Sequence, residues 1–207
     1  MNWRLLEGSV LVGKFDFPQL SPVYDVHPVN LVPFNQIGTA KNKEHSWFHF
    51  YVDDYRLERL WRAPDRYLPI LMEYAGGIGP DFSMLIDQPR GQMIYNAWRN
   101  YVLTFWLQHK AEEAGKQILP NACFGDSDSY DWVFEPLPEK SALAITTQGC
   151  IRNRICKHVL LNGLHELIRQ KHPTQLIVYG LFPEVWRDKF PVEITVLDTF
   201  AKERWAG

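Results

Sequence analysis

Short hydrophobic runs alternate with longer amphipathic segments along most of this chain, and polar, turn-forming residues separate them. The short runs are rich in aromatic and β-branched residues, which is typical of strands. They predict six strands, at 47–52, 78–82, 116–120, 142–147, 175–179 and 192–197. In the longer segments apolar residues recur every three or four positions, which predicts helices at 55–61, 64–74, 89–114 and 151–170.

This regular alternation of strands and helices predicts an α/β fold with a mostly parallel sheet. Two arrangements fit the pattern: a shortened or distorted (β/α) barrel, and an open doubly wound sheet. The chain has 207 residues, whereas a full eightfold barrel typically needs about 250. Length therefore argues against a complete barrel and leaves both arrangements open.

The first 45 residues follow neither periodicity. Pro18, Pro22, Pro28 and Pro33 interrupt them, and proline at this density disfavours long helices and central strands. The pattern predicts that residues 1–45 form an extended arm, packed through its aromatic side chains on the rest of the chain. Residues 46–207 are then expected to form a single α/β domain.

The charge balance limits the kinds of partner. Lys and Arg number 22 and Asp and Glu number 24, which gives a net charge of -2, so no overall field draws the protein to nucleic acid or anionic lipid. No run approaches about 18 apolar residues, the length that spans a bilayer, and the N-terminus does not join a basic segment to a long apolar one. These features predict a cytoplasmic protein without membrane contact. The three cysteines form no CxxC pair, which is typical of reduced thiols.

Aspartates stand where several predicted strands end, at the edge of a parallel sheet where ligands bind. Asp81 and Asp53 are the candidate catalytic residues, as a general acid and base or as holders of a divalent cation such as Mg²⁺. Two other aspartates have structural explanations. Asp54 stands where a helix N-cap is expected, and Asp126 begins a turn.

A glycine turn between the fourth predicted strand and the next helix is a candidate anion site. Backbone N–H groups at a helix N-terminus bind anions, so Thr147, Gly149 and Arg152 are expected to hold a phosphate or carboxylate. The turn lacks the fingerprints of nucleotide-binding loops, and a glycine at such a turn also has a purely geometric explanation.

Further polar residues are assigned to the same edge of the sheet. Arg99, on the longest predicted helix, is expected to clamp the anion, or alternatively to form a structural ion pair. Ser83 and Asn121, which follow two of the strands, are expected to add polar contacts. Cys150 stands near a helix start, where a thiolate is stabilised. No histidine is spaced as in a recognisable cysteine hydrolase, so a packed thiol is the alternative interpretation.

Five segments resemble, in order, the signature blocks of a domain family of unknown function found in bacteria, phages and mobile elements. They read DDYRLERLW at 53–61, PDFSM at 80–84, NAWRN at 96–100, ILPN at 118–121 and TTQGC at 146–150. The resemblance covers roughly residues 46–200 and implies a bacterial cell or a phage-infected host as the source. It carries over no activity, substrate or catalytic residue.

Together these features predict that the protein binds a small anionic or phosphorylated molecule, nucleotide-like in character, at the C-terminal ends of the strands. Whether it also hydrolyses or transfers that molecule stays open. The alternative is a non-enzymatic phage or mobile-element protein that binds nucleic acid or a protein partner. Arg56, Arg59, Arg62 and Arg66 would supply its basic helical face, although the net charge does not favour nucleic acid.

Overall fold

The computed structural model describes residues 2–198, and this part of the chain contains nine strands and five α-helices. The strands are β1 (Leu11–Val12), β2 (Phe17–Pro18), β3 (Val32–Pro33), β4 (Trp47–His49), β5 (Gly76–Ile78), β6 (Gln117–Leu119), β7 (Ala142–Thr146), β8 (Gln175–Tyr179) and β9 (Glu193–Leu197). The helices are α1 (Asp54–Arg62), α2 (Pro64–Leu71), α3 (Arg90–Glu113), α4 (Tyr130–Val133) and α5 (Arg154–Lys171).

The predicted α/β class, with a mostly parallel sheet and alternating helices, is confirmed. β3 to β6 form one parallel sheet and β7 to β9 form another, while β1 and β2 pair as a small antiparallel hairpin. A parallel bridge between Asn121 and Ala144 joins the two sheets. Within residues 2–198 the strands do not close into a barrel, so the sheet is open.

The sheet is strongly curved. Tyr51, just after β4, stacks on Tyr179 of β8 with 4.9 Å between ring centres. Four strand spacings of about 4.8 Å would separate these positions in a flat sheet, roughly 19 Å. The face between them forms one buried cluster with Val23, Val26 and Leu31 of the N-terminal arm. The carboxyl ends of both sheets therefore face a common region.

Helices cover the opposite face of the sheet. α3 is the central one, because it contributes to two separate core clusters. Val102, Leu103 and Leu107 pack with α1 and α2, whereas Ala97 and Tyr101 pack with α4 and α5. A helix of 24 residues buried on several sides holds the two halves of the sheet in a fixed relation.

The N-terminal arm packs on the domain, and it also contributes to the sheet. β3 pairs in parallel with β4, with Val32 opposite Phe48. Pro33 has no backbone N–H to donate, and it is tolerated there because β3 is the edge strand of its sheet. The proline content alone did not predict this strand, since it identifies where central strands are excluded and leaves edge strands open.

Two predicted boundaries are wrong for local reasons. The second strand was expected at 78–82 and lies at Gly76–Ile78, because a Cβ at Gly77 would overlap the ring of Phe48 and only glycine lets that ring cross the strand. The last helix was expected from residue 151 and begins at Arg154. The side chain of Asn153 caps it by accepting the N–H groups of the next turn at 2.9 and 3.1 Å.

Gly163 offers a test of how tightly α5 packs. A Cβ at this position would overlap the ring of Phe124, so Gly163→Ala is expected to lower the free energy of unfolding by about 1–3 kcal/mol. The matched control is Gly91→Ala in α3, where a Cβ meets nothing within 4 Å and alanine is expected to raise stability by up to about 1 kcal/mol. Urea unfolding measures both, and equal changes in the two variants would contradict the packing argument.

Candidate functional site

Two adjoining cavities open at the carboxyl ends of the strands and together form one cleft. The first encloses about 420 Å³ and the second about 540 Å³. Four residues line both cavities and mark the boundary between them: Asp81, Ser83, Thr146 and Gln148. The cleft therefore lies where the strand-end pattern predicted a site, with Asp81 at its centre.

The first cavity is mainly apolar. Its walls come from the segment after β5, the segment after β6, and the first turns of α5. The apolar lining includes Met84, Ala122, Phe124, Ile145 and Leu160. All three cysteines of the chain, Cys123, Cys150 and Cys156, also line it, and none of them forms a disulfide.

The second cavity is polar. It is lined by Asn35 from the arm, by Tyr51, Asp53 and Arg56 around the start of α1, and by Gly149 from the turn after β7. Arg56 and Asp53 form an ion pair at 3.4 Å across the first turn of α1. The cleft thus combines an apolar half with a half that offers hydrogen bonds and charges of both signs.

Asp81 is partly buried at the junction of the two halves. Its Oδ1 accepts a hydrogen bond from the Asn121 side-chain amide at 2.9 Å. Burial raises the pKa of Asp81 to about 6, the nearby carboxylate of Asp54 adds to this, and hydrogen bonds from Asn121 and Cys123 act in the opposite direction. A carboxyl with this pKa exchanges its proton near neutral pH.

Asp54 does not cap α1, contrary to the structural explanation suggested by its position. Asp53 occupies the N-cap position instead, without a side-chain capping hydrogen bond. The Asp54 carboxylate accepts hydrogen bonds from the Ser83 hydroxyl at 2.8 Å and from the Ser83 backbone N–H at 3.1 Å. This pair ties the start of α1 to the segment that carries Asp81.

Of the four residues predicted to bind an anion, the three in or near the turn after β7 have different positions relative to the cleft. Gly149 lines the polar cavity, with φ of +76°. Thr147 is buried, and its hydroxyl donates to the Leu181 carbonyl at 2.9 Å, so it faces away from the cleft. Arg152 is exposed and lines neither cavity, although Gly149 and Asn153, which flank it in sequence, line the cleft.

Arg99 lies in the core, outside the lining of either cavity. Its guanidinium forms an ion pair with Glu58 and donates to the Asn96 Oδ1 at 2.6 Å. It also stacks on two rings, 3.6 Å from the centre of Phe82 and 4.6 Å from that of Tyr95. Of the two interpretations of Arg99, the geometry matches the structural ion pair.

Burial also changes the interpretation of Cys150. It lies in the turn before α5, and the helix begins only four residues later. Burial, together with Cys156 and Asp81, raises the pKa of Cys150. The thiolate expected at a helix start is therefore disfavoured, and Cys150 contributes to the cavity as a neutral thiol.

The profile of a domain of unknown function, DUF4417, matches residues 10–198. The chain belongs to this family. Two similar proteins are the Gene 1 proteins of Mycobacterium phages D29 and L5. The first is 31% identical over 188 residues, covering 83% of this chain and 68% of the phage protein. The second is 29% identical over 172 residues, covering 81% and 72%. No solved structure matches the chain.

The resemblance read from the sequence blocks, to a family of unknown function with phage members, is thereby confirmed. In this DUF4417 domain the blocks surround the cleft: DDYRLERLW begins at Asp53 beside the polar cavity, PDFSM carries Asp81 and Ser83, and TTQGC ends at Cys150. ILPN ends at Asn121, which holds Asp81 from behind. The NAWRN block differs, because it supplies core contacts of Arg99.

Several cleft residues were not predicted from the sequence. Tyr51, Gln148, Cys123 and Cys156 line the cleft. Gln148 lies in the TTQGC block, and the other three lie in no signature block or recognisable motif. Their common signal is position, since each lies just past a strand or in the first turn of the following helix. Asn121, by contrast, was predicted as a ligand contact and lies behind the wall, only 3% exposed.

In the part of the chain that the structure describes, no three histidine, cysteine, aspartate or glutamate side chains are grouped so that they could hold a metal ion. The divalent cation remains a prediction. No helix among residues 2–198 is long and apolar enough to cross a membrane.

The arginines of the alternative hypothesis are largely engaged within the molecule. Arg56 pairs with Asp53 and Arg62 with Glu58. The guanidinium of Arg59 lies 4.8 Å from the ring centre of Phe34 and 5.8 Å from that of Tyr67. Binding of nucleic acid or a protein partner through this face stays a prediction.

Proposed function

We propose that this DUF4417 domain binds a small nucleotide-like molecule in the cleft and that Asp81 exchanges a proton with it. The observation that carries the proposal is the position of Asp81. It stands between an apolar cavity and a polar one, at the carboxyl ends of parallel strands. A ligand that occupies both cavities places the bond between its apolar and polar parts next to this carboxyl.

The apolar half suits a flat, weakly polar group such as a nucleobase. Small-molecule sites are typically concave, mostly apolar and 300–1,000 Å³ in volume, with a few polar groups that fix orientation. The cavity of about 420 Å³ falls in this range. Met84 and the three thiols are soft, adaptable walls for an aromatic ring.

The polar half suits the sugar and phosphate. Arg56 lines it, and the Gly149 turn brings backbone into contact with the cavity. The exposed Arg152 follows three residues after Gly149. Asp53 and Asp81 carry the opposite charge in the same space. Because two carboxylates repel a bare phosphate, the anion is expected to enter together with a divalent cation such as Mg²⁺.

Asp81 is the group that would carry chemistry. A carboxyl with a raised pKa in a cleft is typical of a general acid or base, because it is available in both protonation states near neutral pH. Transfer or hydrolysis at a phosphate or glycosidic bond are the reactions that such a group assists. Asp54 and Ser83 would hold the segment that carries it.

A thermal-shift screen tests the proposal. Nucleosides, nucleotides, nucleotide sugars and sugar phosphates are added with and without MgCl₂, and short DNA serves as a separate arm. A ligand at about 100 times its dissociation constant stabilises the folded state by about 2.7 kcal/mol. We expect a nucleotide-like compound to raise the melting temperature of the wild type, and we expect Asp81→Asn to lose that rise relative to its own ligand-free value.

The control is Asp131→Asn, an exposed aspartate on α4 outside the cleft, which should respond like the wild type. A rise that persists in Asp81→Asn would place the ligand elsewhere. A response to DNA alone would favour the interaction-protein alternative.

A further inference from the structure

The Asp81 carboxyl is held from behind by one buried side chain. Asn121 is 3% exposed and follows β6. Its Nδ2 donates to the Asp81 Oδ1 at 2.9 Å and to the Pro80 carbonyl at 3.3 Å. Asn121 lines neither cavity, so it reaches a ligand only through Asp81.

The orientation of this amide is determined by its partners. The Pro80 carbonyl only accepts hydrogen bonds, so it requires the NH₂ group on its side. The amide oxygen then faces the hydroxyl of Tyr51, which donates to it at 2.9 Å. Burial raises the pKa of Tyr51 well above its ordinary value, so the hydroxyl keeps its proton and remains a donor. A flipped amide would turn its oxygen toward the Pro80 carbonyl and lose that hydrogen bond.

Tyr51 is itself fixed by the sheet interior. Its ring stacks on that of Tyr179 with an interplanar angle of 16°. Its backbone N–H donates to the His49 Nδ1 at 3.2 Å. Burial lowers the pKa of His49 to about 3, so this imidazole is neutral and accepts through Nδ1 above that pH. A continuous series of contacts, from Tyr179 through Tyr51 to Asn121, therefore connects the sheet interior to Asp81 in the cleft.

We propose that Asn121 is a positioning residue that, held by Tyr51 and the Pro80 carbonyl, keeps the Asp81 carboxyl in one orientation at the floor of the cleft. The proposal assigns Asn121 a role other than ligand contact, and its link to catalysis rests on the function proposed above. Hydrogen bonds to the ionised carboxyl favour ionisation, so Asn121 opposes the effect of burial. The other titratable and charged groups around Asp81 and the cleft are Tyr51, Asp53, Asp54, Arg56, Asp87, Cys123, Cys150 and Cys156.

The test follows the titration of Asp81 directly and needs no ligand. Carboxyl ¹³C chemical shifts of aspartate-labelled protein are recorded against pH, and the Asp81 signal is assigned by its loss in Asp81→Asn. Asn121→Leu removes the donor, so the pKa of Asp81 is expected to rise above the wild-type value of about 6. Tyr51→Phe keeps the stacked ring and frees the amide, and it is expected to raise the pKa of Asp81 by a smaller amount.

Asn162→Leu, at an exposed position on α5, is the control and should leave the Asp81 titration unchanged. If Asn121→Leu does not fold, Tyr51→Phe decides the question. An unchanged Asp81 titration in every folded variant of the pair would overturn the proposal. An altered titration without any nucleotide-like ligand would leave Asn121 as the positioning residue and reject the proposed function. A ligand that depends on Asp81, with an unaltered titration, would do the reverse.

Discussion

Asp81→Asn is expected to raise the free energy of unfolding at pH 7 by about 3 kcal/mol. The folded protein raises the pKa of this carboxyl from its ordinary value near 4 to about 6, so it binds the proton more tightly than the unfolded chain does. The favourable contribution of the proton is fully present below about pH 4 and is lost as the pH rises through 6. Asparagine resembles the protonated carboxyl and does not undergo this loss.

Urea unfolding at a series of pH values from 4 to 8 measures the effect. The two proteins should have similar stability near pH 4, and the variant should become progressively more stable toward pH 7. Asp87→Asn, an exposed aspartate in the segment after β5, is the control and should track the wild type within about 0.5 kcal/mol. A constant difference at all pH values would show that Asp81 does not titrate in this range.

This prediction bears on function as well as on stability. A carboxyl that destabilises the fold at neutral pH has no structural reason to stand at the centre of a cleft. Natural proteins accept such costs mainly at sites where ionisable groups carry chemistry. The gain in unfolding free energy in Asp81→Asn therefore measures how much stability the protein gives up at neutral pH by keeping a carboxyl in the cleft.

Arg99→Ala is expected to lower the free energy of unfolding by about 3 kcal/mol. The variant loses the ion pair with Glu58, the hydrogen bond to Asn96, and stacking on Phe82 and Tyr95. Arg99 is 4% exposed, so water does not replace these contacts as it does at the surface. The loss should be independent of any ligand, since Arg99 lies outside the lining of the cleft.

Chemical denaturation checks this result, with Arg66→Ala on α2 as the matched control. Arg66 is exposed, and its loss should change the stability by no more than about 0.5 kcal/mol. A stable Arg99→Ala variant that fails to bind a nucleotide-like ligand would restore the anion-clamp interpretation made from the sequence.

Strand positions were predictable where a residue pattern reports burial directly. Gln175–Tyr179 matches its predicted bounds, because a run of buried apolar residues in a parallel strand is continuous. β5 begins two residues earlier than predicted, at Gly76. Positions 76 and 77 are both glycine because rings of β4 cross them, and that requirement depends on a neighbour about thirty residues away in sequence.

The sequence alone predicted the α/β class, the alternation of strands and helices, and the position of Asp81, Ser83 and Gly149 at strand ends. These depend on local periodicity and turn chemistry, which short segments carry. The tertiary fold was needed to pair Arg99 with Glu58, to bring Tyr51 against Asn121 and to gather three cysteines in one cavity. Such contacts join residues tens of positions apart, and they exist only once the curved sheet has brought those segments together.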